Sequence, residues 1–244
     1  MKKLLTTIAL LSLSTATYAE VSPKNLVERP FTLADGEFQV AGAIQYGEKF
    51  DGDKEWSIVP HFAYGITDDL TVSFGEIRYR FIDRVNNKTG LELTSGLSYA
   101  GRLKAGDADD AHGGKIDLAG KYVFTSDTAV AFSLGYVHWQ DFDLDKVDWQ
   151  DEKNRDRAEI RYSTSFLHNL SNDVTFIASY TYRDLKDFQQ NSAQAASVGL
   201  NYAYSKSIDL GLFGRYSDYN PAENGFSNDG HLERSAGLYM SYRF

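Results

Sequence analysis

The sequence predicts an all-β protein, a transmembrane antiparallel up-and-down β-barrel. Apolar and polar residues alternate with a period of two in many segments, which is the pattern of a strand with one apolar and one polar face. The mean hydropathy of −0.41 is too polar for a helical membrane protein but suits a barrel, in which only alternate residues face lipid. The chain is also rich in aromatic residues, with 16 tyrosines and 15 phenylalanines, and many of them fall at predicted strand ends.

The beginning of the chain has the features of a signal peptide. Two lysines precede an apolar stretch at residues 4–13, and small residues at positions 17 and 19 precede a predicted cleavage point. The apolar stretch is too short for a transmembrane anchor. We therefore predict three parts: a signal peptide at 1–19 that is removed, a periplasmic leader at 20–35, and the barrel at 36–244.

The last predicted strand, residues 234–244, alternates without interruption. Its apolar face includes Leu238, Met240, Tyr242 and Phe244. This ending resembles the terminal strand of Gram-negative outer-membrane β-barrels, which characteristically ends in Phe with an aromatic residue two positions earlier. The resemblance implies the cell outer membrane as the location, with lipid and lipopolysaccharide around the barrel, and it implies recognition of this strand by the barrel-assembly machinery. We expect no nucleic-acid partner for a chain with a net charge of −9.

The connections between strands fall into two classes. Short polar connections at 66–69, 125–127, 169–173 and 205–207 predict periplasmic turns. Longer connections, at about 47–54, 104–113, 140–156, 184–191 and 217–232, predict extracellular loops. Within the second strand, Pro60 removes a hydrogen-bond donor and predicts a bulge or local irregularity.

The parity of the strands determines their number. With both ends of the barrel on the periplasmic side, alternating turns and loops require an even count. Treating residues 70–81 as one strand gives an odd count, so we predict a reversal at Gly75-Glu76 and a turn at 83–90. The result is twelve strands, with ten as the alternative. The two strands on either side of Gly75-Glu76 are short against the roughly 9–11 residues that a tilted spanning strand needs.

The two registers of the strands predict different surroundings. Leu, Val and Ile occupy the middle of the outer register, and aromatic residues occupy its ends, as in the two aromatic belts of a membrane barrel. The predicted belts contain Tyr64, Phe124, Tyr204 and Phe244 on the periplasmic side and Tyr46, Tyr136, Tyr182 and Tyr216 on the outer side. Small residues dominate the inner register and leave space for water in a barrel of twelve strands.

The inner register also contains many charged residues. Its basic members are Arg78, Arg80, Arg102, Lys115, Lys121, Arg161, Arg183, Arg215 and Arg243, and its acidic members include Glu92, Asp117 and Glu159. Because cationic rings favour the passage of anions, the set predicts a porin-like channel for passive transport of small hydrophilic solutes, including anionic ones. The alternative is a closed structural or adhesive barrel, in which paired charges brace the interior and acidic extracellular loops bind a partner or lipopolysaccharide.

Two further kinds of site have simpler interpretations. Asp141, Asp143 and Asp145 could bind a divalent cation, but a solvated acidic loop is the favoured interpretation and we predict no metal site. His112 and His231 each follow an Asp by two positions, which resembles the rim couples of omptin proteases. Since Asp is frequent in these loops, the hydrolase is the least favoured hypothesis, and we expect neither an enzyme nor a cofactor.

Three stretches carry a family resemblance. Residues 29–40, the sequence Tyr-Gly-Ile-Thr-Asp-Asp-Leu at 64–70 and the sequence Ile-Arg-Tyr-Arg-Phe-Ile-Asp at 77–83 together resemble the opening of MetA-pathway phenol-degradation-like outer-membrane barrels. The resemblance covers roughly the first third of the chain that follows the predicted signal peptide. It implies a small transport channel, and it supports a separate short strand after Gly75.

Overall fold

A computed structural model describes residues 24–84, 88–103, 111–140, 156–224 and 231–244, without the side chains of residues 101–103, 111–112 and 156. These residues form twelve strands and one short 3-10 helix, Ala222–Asn224. The strands are β1 Phe38–Glu48, β2 Lys54–Thr67, β3 Leu70–Ser73, β4 Glu76–Ile82, β5 Gly90–Leu103, β6 Ala111–Thr125, β7 Thr128–Gln140, β8 Asp156–Asn169, β9 Val174–Lys186, β10 Ser192–Ala203, β11 Ile208–Ser217 and β12 Arg234–Arg243. None of the helical structure in these ranges has the length and apolar character of a membrane-crossing helix.

The strands form one closed antiparallel barrel in which each strand pairs with its neighbours in sequence and β1 pairs with β12. The closing pair is fixed by the terminal strand, with Val40 opposite Tyr242 in register. Reciprocal hydrogen bonds join Phe38 and Phe244 at 2.8 and 3.0 Å, and their rings meet at 5.3 Å. The prediction of a twelve-stranded all-β barrel is therefore confirmed.

The two ends of the barrel differ in their connections. We call the end with the short connections, where Phe38 and Phe244 lie, the turn end, and the opposite end the loop end. The predicted reversal is confirmed, since Gly75 has a φ of 79° between β3 and β4 and supplies the backbone conformation that side chains disfavour. Of the two alternatives predicted at Pro60, the bulge is wrong, because the pairing of β1 with β2 runs without a shift through the Gly42–Pro60 pair.

The outer surface of the barrel is apolar at mid-height and aromatic at both ends. Exposed Leu, Val, Ile and Phe side chains surround the barrel. Aromatic pairs flank this band, with Tyr46 and Trp56 at 4.8 Å near the loop end and Tyr122 and Phe124 at 4.8 Å near the turn end. An apolar band of this extent outside a polar lumen is stable in a lipid bilayer and not in water. The fold is therefore that of a membrane-spanning barrel.

Candidate functional site

The inner faces of the strands enclose a lumen cavity of about 690 Å³. Small side chains such as Ser133, Ser163 and Ser179 leave this space between the walls. Phe31, from the segment that precedes β1, also lines the cavity. Charged side chains project into the cavity from two regions of the wall, which differ in their balance of charge.

The first region, on β4 and β6, is balanced. The Arg78 guanidinium lies 2.5 Å from a Glu76 carboxylate oxygen and 3.0 Å from Asp117, and the Lys115 ammonium lies 3.0 Å from the same Asp117. Two cations therefore face two carboxylates. Close pairs of this kind brace the wall, as the salt-bridge interpretation of the sequence expects, and leave little net charge for a solute.

The second region, on β8, β9 and β11, carries an excess of positive charge. We call Arg161, Arg183 and Arg215 the basic wall. Arg161 and Arg183 share one carboxylate, the buried Glu159, which accepts a hydrogen bond from Arg183 Nε at 2.6 Å and pairs with Arg161. Arg215 lines the cavity and has no carboxylate partner in the described part of the chain. Three guanidiniums thus face one carboxylate.

Two loop residues complete the loop end of the basic wall. The Arg183 guanidinium lies over the Tyr219 ring at 3.9 Å, and the His231 ring lies 6.3 Å from that of Tyr219. The Tyr219 hydroxyl is buried without a hydrogen-bond partner among the described residues, and burial raises its pKa to about 12, so it remains a donor. Burial lowers the pKa of His231, and the two guanidiniums of Arg183 and Arg215 lower it further. Tyr219 could not be found from the sequence, because it lies in a loop without alternation.

The turn end of the lumen is occupied by residues 24–37, which we call the sealing segment. Arg29 contacts both carboxylate oxygens of Asp209 on β11, at 2.8 and 3.1 Å. The Phe31 amide donates to Glu92 on β5 at 2.6 Å, and the Lys121 ammonium donates to the Arg29 carbonyl. The sequence assigned most of these residues to a periplasmic leader, and the structure shows what the described part of that leader contacts.

Other contacts hold the sealing segment against the wall. The fully buried Val27 packs in an apolar cluster with Val123, Ala129 and Leu167 from the inner faces of three strands. The Arg84 guanidinium, which donates to the Glu28 carbonyl, lies 3.3 Å from Glu92. The segment is thus held by side chains that combine apolar packing with buried charge.

Several predicted lumen residues therefore lie at the seal and outside the walls of the cavity. Lys121 and Glu92 contact the sealing segment, and Arg243 lies 3.7 Å from Glu37 and 3.5 Å from Asp209. Arg80 is buried at the turn end, where it pairs with Asp69 at 2.8 Å and Asp83 at 3.4 Å. Alternation correctly gives the inward direction of these side chains, but it carries no information about their height or their partners.

Some of the residues singled out from the sequence lie outside the residues that the structure describes. They are the signal peptide at 1–19, the acidic loop residues Asp141, Asp143 and Asp145, the carboxylates Asp110 and Asp229 of the two Asp-His couples, and the side chains of Arg102 and His112. The cation-binding loop and the hydrolase therefore stay hypotheses from the sequence.

The closed barrel with its charged lumen defines a membrane-spanning barrel protein. No family model and no curated protein matches the sequence, so the MetA-pathway resemblance stays a prediction. Among solved structures, the chain is similar to a loop-deletion mutant of OmpT, an outer membrane protein of Vibrio cholerae, with 10% identity over 86% of this chain and 100% of that chain and a TM-score of 0.47. It is also similar to the NanC porin, with 12% identity, coverage of 84% and 98% and a TM-score of 0.47. An anion-selective porin from Comamonas acidovorans has 11% identity, coverage of 85% and 98% and a TM-score of 0.44. Similarity at this level supports no conclusion about function.

Proposed function

We propose that the protein is a porin-like channel of the Gram-negative outer membrane that passes small hydrophilic solutes and prefers acidic ones. The observation that carries this proposal is the basic wall, where three guanidiniums face one carboxylate beside the lumen cavity of about 690 Å³. Charges of one sign on the walls of a narrow lumen focus their field into it and concentrate solutes of the opposite sign. The excess positive charge of the basic wall therefore favours anions over cations.

Arg215 has the geometry of a solute-binding group. Arg161 and Arg183 already donate to Glu159, whereas Arg215 has donors free of any described carboxylate. A planar guanidinium binds a carboxylate through two parallel hydrogen bonds, so an acidic solute can occupy the position that a protein carboxylate fills elsewhere in the lumen. The unpartnered Tyr219 hydroxyl offers a further donor at the same end of the basic wall.

Planar-bilayer recording tests the proposal. Purified protein should give current steps, and the reversal potential in a salt gradient should show a preference for anions. Arg215→Glu should reverse or strongly reduce that preference, since it replaces the unpaired cation by an anion. The matched control is Arg234→Glu, which makes the same change at the barrel rim, where the Arg234 side chain is 69% exposed. A protein without current steps, or equal selectivity in both variants, contradicts the proposal.

A closed structural barrel is the second candidate, and the sealing segment is the observation that favours it. A segment anchored through Arg29, Phe31 and Val27 narrows the turn end of the lumen. If this segment never leaves, the barrel passes no solute and its loops would bind a partner or lipopolysaccharide. Absence of current both in the native protein and after weakening of the seal supports this second function.

A further inference from the structure

The wall of the barrel is low between β2 and β5. The strands β2 and β5 each have 14 residues, but β3 and β4 between them have only 4 and 7. Pairing with this short hairpin ends at the hydrogen bonds from the Phe74 amide to the Phe62 carbonyl, 3.0 Å, and from the Tyr99 amide to the Gly75 carbonyl, 2.7 Å. Beyond these bonds, residues 54–61 of β2 pair with β1 on one side and with no described strand on the other.

The sequence of β2 is adapted to this free edge. Alternate residues of an antiparallel strand direct their backbone groups to the same neighbour. The Phe62 carbonyl points to the hairpin, so Pro60, Ile58 and Trp56 direct their backbone groups to the same side, above the hairpin. Proline has no amide hydrogen and occurs in sheets at such edges. The structure thus explains Pro60 without a bulge, because no neighbouring strand requires its donor.

The free edge lies at the height of the bilayer. Tyr64 belongs to the aromatic belt at the turn end, and the Tyr46–Trp56 ring pair marks the belt at the loop end, so residues 58–62 lie between the two belts. Backbone edges are tolerated at that depth where they are buried in protein or border water-filled space. The lumen lies on the inner side of this edge, and no described strand closes the wall above the hairpin.

Apolar side chains border the gap, Ile58 and Phe74 on the outer face of the wall and Val59 on the inner face. Ile58 is 73% exposed, and Phe74 at the tip of the hairpin is 88% exposed, more than any other large apolar side chain in the described part of the chain. Val59 belongs to the inner register, yet it is 51% exposed. Val59 is therefore an apolar contact point on the inner face of the edge, between Ser57 and His61 in the same register.

We propose that this gap, bounded by residues 54–61 of β2 and the tip of the β3–β4 hairpin, is a lateral opening through which the apolar part of an amphipathic acid passes between the lumen and the bilayer. The acid group faces the basic wall, which lies on the opposite side of the barrel from β3 and β4 in the strand order. The tail then extends across the lumen toward Val59, where burial in lipid is favourable. Only the position of the acid group rests on the proposed function, since the opening itself follows from the strand lengths and the free edge.

The opening is tested directly by the environment of an introduced nitroxide. The chain has no cysteine, so a single cysteine can be labelled cleanly. Val59→Cys is compared with Ala43→Cys, its partner in the β1–β2 register, which also faces inward but has a paired strand on each side. The measured quantity in lipid vesicles is the ratio of the label's collision rate with oxygen, which concentrates in hydrocarbon, to its collision rate with a water-soluble nickel chelate. This ratio should be several-fold higher at position 59 than at position 43. Equal ratios at the two positions overturn the opening.

The ligand class is tested in the same vesicles with two permanently charged probes. Octanesulfonate should reduce oxygen collisions at the Val59→Cys label several-fold, whereas methanesulfonate, which has the same head and no long tail, should not. Loss of the octanesulfonate effect in a background with Arg215→Gln supports the assigned position of the head. Equal responses to the two probes overturn the amphipathic ligand. Failure of the proposed function itself appears separately, as absence of current in the bilayer recordings.

A second copy of this chain could instead pair with the free edge. Ile58→Cys tests that occupant, because two edges paired across a dimer would bring the introduced thiols together in the membrane. Under mild oxidation we expect monomers. Efficient formation of a disulfide-linked dimer would overturn the lateral opening and assign the edge to an interface.

Discussion

Replacement of Arg29 by Gln should loosen the sealing segment without disturbing the barrel. Arg29 is the point at which the segment is bound to β11, and its contact with Asp209 is bidentate and almost fully buried. Glutamine removes the charge and the fork of donors. Asp209 keeps the Arg243 guanidinium at 3.5 Å, so the substitution does not leave a buried carboxylate alone. The effect should therefore be confined to the segment.

The expected size follows from the geometry of the contact. Removing one partner of a buried, hydrogen-bonded ion pair costs about 2 to 3 kcal/mol of interaction free energy when the other partner keeps a compensating charge. That free energy corresponds to a change of about 30-fold to 150-fold in the equilibrium between seated and released segment. In planar-bilayer recordings, a larger conductance level should accordingly be occupied far more often in the Arg29→Gln variant than in the native protein.

Lys24→Gln is the matched control. It removes the same charge from the same segment, but the Lys24–Asp173 pair lies at the rim, with side chains 34% and 45% exposed. Exposed pairs contribute only about 0 to 1 kcal/mol, so the occupancy of the larger level should change little. Equal effects of the two substitutions would refute the reasoning that the buried contact holds the segment. No change in either variant would mean that Val27 and the other contacts hold it without Arg29.

Two further predictions concern the seal and the basic wall. Gly65→Ala should lower the free energy of unfolding by about 1 to 3 kcal/mol through overpacking, seen as a lower unfolding temperature, because a Cβ there would overlap the Ala34 carbonyl oxygen. Gly42→Ala, whose Cβ would meet its nearest atom at 3.8 Å, should change that temperature little, and a similar loss in both variants would point to strand propensity instead. The lowered pKa of His231 means that its neutral form is favoured in the folded protein, so its protonation costs stability as the pH falls through the ordinary value of about 6.5. Anion preference should therefore rise as the pH falls, with a midpoint below that ordinary value, whereas His231→Gln should abolish the rise; a rise centred at the ordinary value would contradict the assigned environment.

The fold could be predicted from the sequence because its two determinants are local. Period-two alternation gives the direction of each side chain, and the parity of turns and loops gives the strand number. The most informative positions are Gly75, which marks the reversal between two strands too short to span, and Phe244, whose strand closes the barrel on β1. Neither inference needs knowledge of contacts between distant residues.

The site could be predicted only in part, because its contacts join distant positions. Arg29 and Asp209 are 180 residues apart, and the segment that contains Arg29 has no alternation that would indicate its place. Alternation shows that Lys121 and Arg183 both face inward, but one binds the sealing segment and the other lies over Tyr219. Height in the barrel and choice of partner depend on strand tilt and on packing, which a single sequence does not display.

Pro60 in β2 correctly predicts a local irregularity in strand pairing, but the bulge predicted there as one alternative is wrong. Pro60 does mark a departure from regular pairing, as the sequence indicates. The departure is the end of the neighbouring hairpin at Phe62 and not a bulge in the pairing with β1. A proline removes a donor on one side of the strand only, and the sequence alone does not say which side has lost its neighbour.

Sealing and selectivity should be separable properties of this barrel. At the turn end, cations such as Arg29 and Arg243 lie within 4 Å of carboxylates, so they act on the cavity as dipoles whose potential falls steeply with distance. The basic wall keeps an excess charge, and its field extends into the lumen. Arg29→Gln should therefore change how often the larger conductance level occurs but not the ratio of anion to cation permeability. Arg215→Glu should change that ratio and leave the occupancy of the levels unaltered. If either substitution moved both quantities together, one constriction would control both, and the assignment of the two functions to opposite ends of the lumen would be wrong.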